Sequence, residues 1–343
     1  MSDNKYLSTA NDSNIQIHQN QKDERRLRDI DFIDLFISER GESFFRGSEE
    51  TRGPLSVVPH DVIYDIDNLH RIICDTGQTR AEFFVDYDGM RFRVSRIEDV
   101  DGVWYVLRRA PWSIPRLGQL GGVPSKVIEA LGLIGRPGTH GLILIAGATA
   151  QGKTTTAYSL LQEYLLWYGD VAVTLEDPVE QRLSGACGQY GRCFQIEVPN
   201  GDFADAMKKT MRRSPRYIFL GEVRSSHEAS QALRAAINGH LVITTIHAGS
   251  VVEAINAMLK FISGEESLDL ARTIFADGVS AILHQRLIKI KTKNGYKRML
   301  RVEYLFAGVD KGLRSLIRSG KTEQLSTFID IQTKRVESGN LPI

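Results

Sequence analysis

Apolar and polar positions follow two different rhythms along the chain, and the change comes near residue 110. Residues 1–28 carry few apolar side chains and many Asn, Asp, Gln, Ser and Lys. They read as a disordered polar tail, unable to bury enough surface to offset the entropy of ordering. The stretch 29–110 reads as a small N-terminal domain of mixed pattern. IDFIDLFI (30–37) spaces its apolar residues as a helix does, with Asp31 and Asp34 suited to a first turn, and so predicts a helix. AEFFVDY (81–87), MRFRVSRI (90–97) and VWYVLRR (103–109) are rich in β-branched and aromatic residues. Asp88-Gly89 and Asp101-Gly102 separate them, which predicts a three-stranded antiparallel meander.

APWSIPRLGQLGGVP (110–124) loses periodicity and holds three prolines and three glycines, so 111–124 reads as a linker. From 125 to 343 apolar strands alternate with amphipathic segments. The strands are LILIA (142–146), VAVTL (171–175), YIFLG (217–221) and LVITTI (241–246). Helical segments lie at 155–168 and 226–239. This alternation predicts an α/β domain with a mainly parallel sheet, followed by a C-terminal helical region.

Length and composition add bounds. A chain of 343 residues suggests two domains. Lys+Arg 43 against Asp+Glu 42 leaves a net charge of +1, which gives no support for a protein that coats nucleic acid or an anionic membrane. Cys74, Cys187 and Cys193 form no CxxC pair, which argues against a disulfide framework and a four-cysteine zinc site. No apolar run is long enough to cross a bilayer and the N-terminus is not a signal peptide, so a cytoplasmic protein is expected.

Chemistry enters at the ends of the strands. Gly147-Ala-Thr-Ala-Gln-Gly152-Lys153-Thr154 satisfies GxxxxGK[ST] between a strand and a helix, the setting a phosphate-binding loop requires. Gly147, Gly152, Lys153, Thr154 and Thr155 are therefore candidate ATP-binding residues, with Lys153 on the β/γ oxygens and Thr154 on Mg²⁺. Leu175-Glu176-Asp177-Pro178-Val179-Glu180 puts Glu176 at a strand's carboxyl end, a candidate to act on Mg²⁺ through water. Gly221-Glu222-Val-Arg224 has the same construction. Glu222 would polarise the attacking water or hold Mg²⁺ through water, and Arg224 joins it as a catalytic candidate. Gly239-His240 and His247-Ala248 bracket the fourth strand. Seven residues apart, the two histidines take opposite faces and are no metal pair. His247 lies at the carboxyl end, placed to sense a γ-phosphate.

Four boxes in this order resemble the secretion and pilus ATPases of type II and type IV systems. They are a Walker A loop, an EDPVE Asp-box, a GEVR Walker B and a GHLVITTIHA His-box. MRFRVSR, VLRRAP and the segment Gly312 to Gln324 are similar to the pilus retraction (PilT-like) branch. The resemblance implies a RecA-like P-loop ATPase domain preceded by a smaller α+β PAS-like domain, a homo-hexameric ring, and an inner-membrane platform protein as partner. It implies that ATP hydrolysis drives pilin disassembly, and that Arg93 and Arg108 reach a nucleotide of the same or an adjacent subunit. The zinc-bearing cysteine insertion of extension ATPases is missing, so no zinc is expected. A type IVB secretion or conjugation ATPase shares the four boxes, and a nucleotide-gated assembly factor with little turnover is a further alternative. Ala150 and Gln151 stand where the family has Gly-Ser, Arg212 to Arg216 lack the acidic residues that flank the family's proline, and Ser225 replaces an aspartate.

Overall fold

The computed structural model describes residues 25–48, 54–77, 81–110, 113–198, 201–292, 295–308 and 310–342. The chain divides into two units, 1–110 and 111–343. The bulk of the expected tail, 1–24, lies outside the described residues. Order begins before residue 29, however. Leu27 is fully buried, and its N–H together with the Arg26 side chain holds the Asp65 carboxylate.

The first unit contains β1 (Asp34–Ser38), β2 (Ser43–Arg46), β3 (Leu55–Val57), α1 (Ile63–Gly77), β4 (Glu82–Tyr87), β5 (Met90–Asp99) and β6 (Gly102–Ala110). They build one antiparallel sheet in the order β3-β2-β1-β6-β5-β4, with Ile66, Leu69 and Ile73 of α1 buried in the unit's core. The expected meander is β4, β5 and β6. The helix expected over 30–37 is absent. A short 3-10 turn at Leu27–Asp29 leads instead into β1. Ile30, Phe32, Leu35 and Ile37 are buried, while Phe36 points to the other face and stacks on Phe44. Aromatic and branched side chains pack better on a pleated surface here than their helical spacing suggests.

The second unit contains α2 (Ser125–Ile134), β7 (Gly141–Ala146), α3 (Lys153–Tyr168), β8 (Asp170–Glu176), β9 (Gly185–Cys187), β10 (Gly191–Glu197) and α4 (Phe203–Met211). It continues with β11 (Tyr217–Leu220), α5 (Ser226–Ile237), β12 (Leu241–Ile246), α6 (Val251–Ile262), α7 (Leu268–Gly278), β13 (Val279–Thr292), β14 (Gly295–Phe306), α8 (Lys311–Ser319) and α9 (Leu325–Glu337). The eight strands run β14-β13-β7-β12-β11-β8-β10-β9. All neighbours from β13 to β10 are parallel, and only the outer pairs are antiparallel. Along β7, Leu142 and Leu144 join the core that includes α5, α6 and α7, while Ile143 and Ile145 join the core with α2 and α3. Burial on both faces explains why these strands read as continuous apolar runs.

Within the segment read as a linker, the described residues are seated on this unit. Leu117 is buried, and Arg116 and the Leu117 N–H both hold the Glu163 carboxylate on α3. The fold is thus an α/β unit with a parallel core sheet, preceded by a smaller α+β unit, the class the sequence implies.

Candidate active site

β7, β8, β11 and β12 are parallel, so Ala146, Glu176, Leu220 and Ile246 end along one edge of the sheet. Ligands of open α/β sheets bind at such an edge. Loop 147–152 leaves β7 and enters α3, whose first N–H groups and positive dipole end favour an anion. Both motif glycines have a steric reason. Gly152 caps α3 at φ +78, and a Cβ on Gly147 would come within 2.6 Å of the Gln285 carbonyl oxygen. Ala150 adopts φ +59, a left-handed conformation that costs a non-glycine residue about 1–2 kcal/mol. The family's glycine at this position would bear no such strain.

Lys153 is only 8% exposed. Its Nζ donates to the Gly147 and Ala148 carbonyls at 3.0 and 3.1 Å and lies 3.3 Å from His247 Nδ1. An ammonium can only donate, so Nδ1 accepts and the ring proton sits on Nε2. That Nε2 is 2.8 Å from Glu222 Oε1, and Glu222 Oε2 accepts from Arg224 Nε at 2.7 Å. Lysine, histidine, glutamate and arginine therefore form one alternating line of donors and acceptors beside the loop. Burial pushes the Lys153 ammonium below its ordinary value, and the charges of Glu222 and Glu180 act against that shift. Ser225 continues the chain as the N-cap of α5, in a capping box with Glu228. A serine here does the capping work of the aspartate it replaces.

Glu176 stands apart from this line. It is 3% exposed, and the Tyr158 hydroxyl lies 2.6 Å from each of its carboxylate oxygens. Gln195 Nε2 in turn donates to Tyr158 at 2.7 Å. Burial pushes the Glu176 carboxyl up to about 7 and raises the Tyr158 phenol as well. The structure makes Glu176 a buried partner of α3, and it lacks the access to water that its strand-end position suggests. The folded chain then binds a proton here that the unfolded chain releases, so this group's contribution to stability falls as pH rises from about 4.5 to about 7. Glu176→Gln keeps a partner for Tyr158 and cannot ionise. Its Tm is expected to gain on wild type by at least about 2–4 °C between pH 5 and pH 8. A difference that stays constant over that range would show that Glu176 does not titrate there.

Thr155 Oγ1 accepts from Gln181 Nε2 at 3.1 Å, while Thr154 lies half-buried in the first turn of α3. Tyr158, Gln181 and Gln195 were not legible as site residues, because each looks like an ordinary member of its helix, loop or strand. Arg93 and Arg108 belong to the first unit. Arg93 donates to Glu82 at 2.5 Å, and Arg108 donates to Asp34 at 2.8 and 3.2 Å. Burial alone would raise the Asp34 carboxyl, but hydrogen bonds from Arg108 and Arg46 outweigh it and hold the group below its ordinary value. His240 sits before β12, with Nδ1 2.6 Å from the Pro215 carbonyl oxygen, at the far end of that strand from His247.

The family described as Type II/IV secretion system protein matches residues 76–328, well over half the chain. The chain belongs to that family. The uncharacterised protein YggR of Escherichia coli is 32% identical to this chain over 293 residues, 81% of this chain and 83% of YggR. The crystal structure of the pilus retraction motor PilT with bound ADP superposes with a TM-score of 0.72 and 27% identity, covering 87% of this chain and 85% of that one. The ATPase DotB of Legionella pneumophila follows with a TM-score of 0.67 and 25% identity, covering 89% and 84%. The resemblance carried by the four strand-end boxes is borne out.

Proposed function

We propose that this protein is a Mg²⁺-dependent ATPase motor that acts as a homo-hexamer and drives retraction of a type IV pilus. The observation that carries the reading is the line Lys153–His247–Glu222 beside the P-loop. Lys153 now rests on two loop carbonyls, and β/γ-phosphate oxygens are stronger partners for its ammonium. When the ammonium turns to phosphate, His247 loses its donor on Nδ1 and is free to report the γ-phosphate. Glu222, held by His247 on one oxygen and Arg224 on the other, is oriented to accept a proton from the attacking water.

Magnesium prefers hard oxygen donors and needs few from protein when a triphosphate supplies the rest. The Thr154 hydroxyl and, through water, the Glu222 carboxylate fit that donor set and would hold it, with Glu176 excluded by its burial. Bound there, the ion would supply positive charge to offset that of the triphosphate.

Of the two arginines assigned to a nucleotide, Arg93 is the more easily released. Its partner Glu82 is about as exposed as Arg93 itself, whereas Arg108 holds the fully buried Asp34. A surface ion pair contributes at most about 1 kcal/mol, and breaking a buried one costs several times more. Mixed rings of Arg93→Ala and Lys153→Ala chains are therefore expected to hydrolyse ATP non-additively with the mixing ratio. Strictly additive activity would remove the claim that Arg93 acts on a neighbour's nucleotide.

Likeness to PilT favours the retraction role, and an inner-membrane platform protein is the proposed partner, holding the motor at the cytoplasmic face. No helix among the described residues is long and apolar enough to cross a membrane. A secretion or conjugation role is the second reading, favoured by the likeness to DotB. The deciding experiment is deletion of the gene, with pili and secreted protein both scored. Hyperpiliated, non-retracting cells are expected. Normal pili with lost secretion would support the second reading. ATP bound by the purified chain without phosphate release would replace the motor by a nucleotide-gated assembly factor.

A further inference from the structure

β7 ends at Ala146, opposite His284 of β13, but β13 runs on to Thr292. Past that point a side chain continues the pairing. Gln151 Oε1 accepts the Leu287 N–H at 2.6 Å, while the Gln151 carbonyl accepts Gln285 Nε2 at 2.7 Å. Gln285 is 1% exposed, so its amide has few other conformations open to it. On the loop's opposite arm, Gly147 packs so close to the Gln285 backbone that no Cβ would fit. The loop is thus laced to β13 on both sides of Ala150, the residue that carries its left-handed strain. A serine at 151, as the family has, would end two bonds short of the Gln151 amide oxygen and could not replace it on Leu287.

We propose that Gln151, with Gln285, is a positioning residue that holds the phosphate loop in its binding shape before nucleotide arrives and offsets the strain at Ala150. The inference rests on the reading of this loop as an ATP site. Neither glutamine side chain need touch the nucleotide. Their effect is preorganisation: a loop ordered in advance does not subtract its ordering entropy from binding. An empty loop with a strained alanine and no tether would relax away from that shape.

The test compares wild type, Gln151→Ala, Gln151→Ser, and each change combined with Ala150→Gly. The first readout needs no nucleotide: hydrogen exchange at the Leu287 amide of the unliganded chain. Losing a neutral hydrogen bond is expected to speed that exchange and weaken ADP binding, each by about fivefold, in both Gln151 variants. The larger part of the effect falls on KM and the smaller on turnover, because the tether acts on the loop's shape and not on Glu222. With Ala150→Gly present the strain is gone, and the loss of affinity caused by Gln151→Ala shrinks. Unchanged Leu287 exchange, or unchanged ADP affinity in chains that bind ADP, overturns the proposal. So does a penalty equal in both backgrounds. Faster Leu287 exchange in the variants, in a wild type that binds no nucleotide, would uphold the tether and overturn the ATPase reading instead.

Discussion

Lys153→Ala is expected to lose ATP binding by more than about 100-fold, since the change removes at least two charge-assisted hydrogen bonds at roughly 1.5–3 kcal/mol each. The rest of the loop supplies oriented N–H groups, and within the loop only Lys153 brings a full charge to the β/γ oxygens. Stability should move far less than affinity. The ammonium is disfavoured by burial, so its loss relieves a desolvation cost while leaving the Gly147 and Ala148 carbonyls with one fewer donor. These effects oppose each other, and the variant's Tm is expected within a few degrees of wild type. Titration with a fluorescent ATP analogue, beside a melting curve, checks both halves. Affinity within threefold of wild type would mean that the loop is a glycine-rich turn with a structural lysine. His247 gives a second check. With its partner on Nδ1 gone, the imidazole loses one of the two contacts that orient it toward Glu222.

What could be read from the chain followed from how local each signal is. Strands buried on both faces announce themselves as LILIA or LVITTI, and the phosphate loop is a contiguous motif whose geometry follows from its own glycines. IDFIDLFI was ambiguous because its apolar residues satisfy both a helical and a two-residue spacing. Tertiary pairing of Phe36 with Phe44 decided it. α1 and the β13–β14 hairpin did carry signals, in Ile66, Leu69 and Ile73 at helical spacing and in Asn294-Gly295 between two long runs. Neighbouring charged residues dilute both signals. The fate of Glu176 had no local signal. Its burial depends on Tyr158, 18 residues earlier on α3, which is itself held by Gln195 on β10. The same holds for Arg108, whose partner Asp34 lies 74 residues away. Strand-end position identifies which carboxylates reach the rim, but the neighbouring helix decides which of them faces water.

Glu222→Gln should separate chemistry from binding. The triphosphate is held by the loop and Lys153, so the affinity for ATP is expected within about threefold of wild type, whereas loss of a general base costs about 10²–10⁴ in turnover. The variant cannot reproduce the present geometry even in shape. Glu222 accepts from His247 on one oxygen and from Arg224 on the other. A glutamine has one acceptor and one donor, so either His247 or Arg224 must face an NH₂ group that also donates. The misfit disturbs the orientation of the base's neighbours as well as removing its charge. Single-turnover hydrolysis, measured beside equilibrium binding of ATP, reads the two effects apart. Equal loss of both would place Glu222 in the binding site and take the base assignment from it. Full turnover would move the base elsewhere. Glu176, sealed beneath Tyr158, is a poor substitute, and Glu180, whose charge already acts on Lys153, and the exposed Asp177 are the next carboxylates to test.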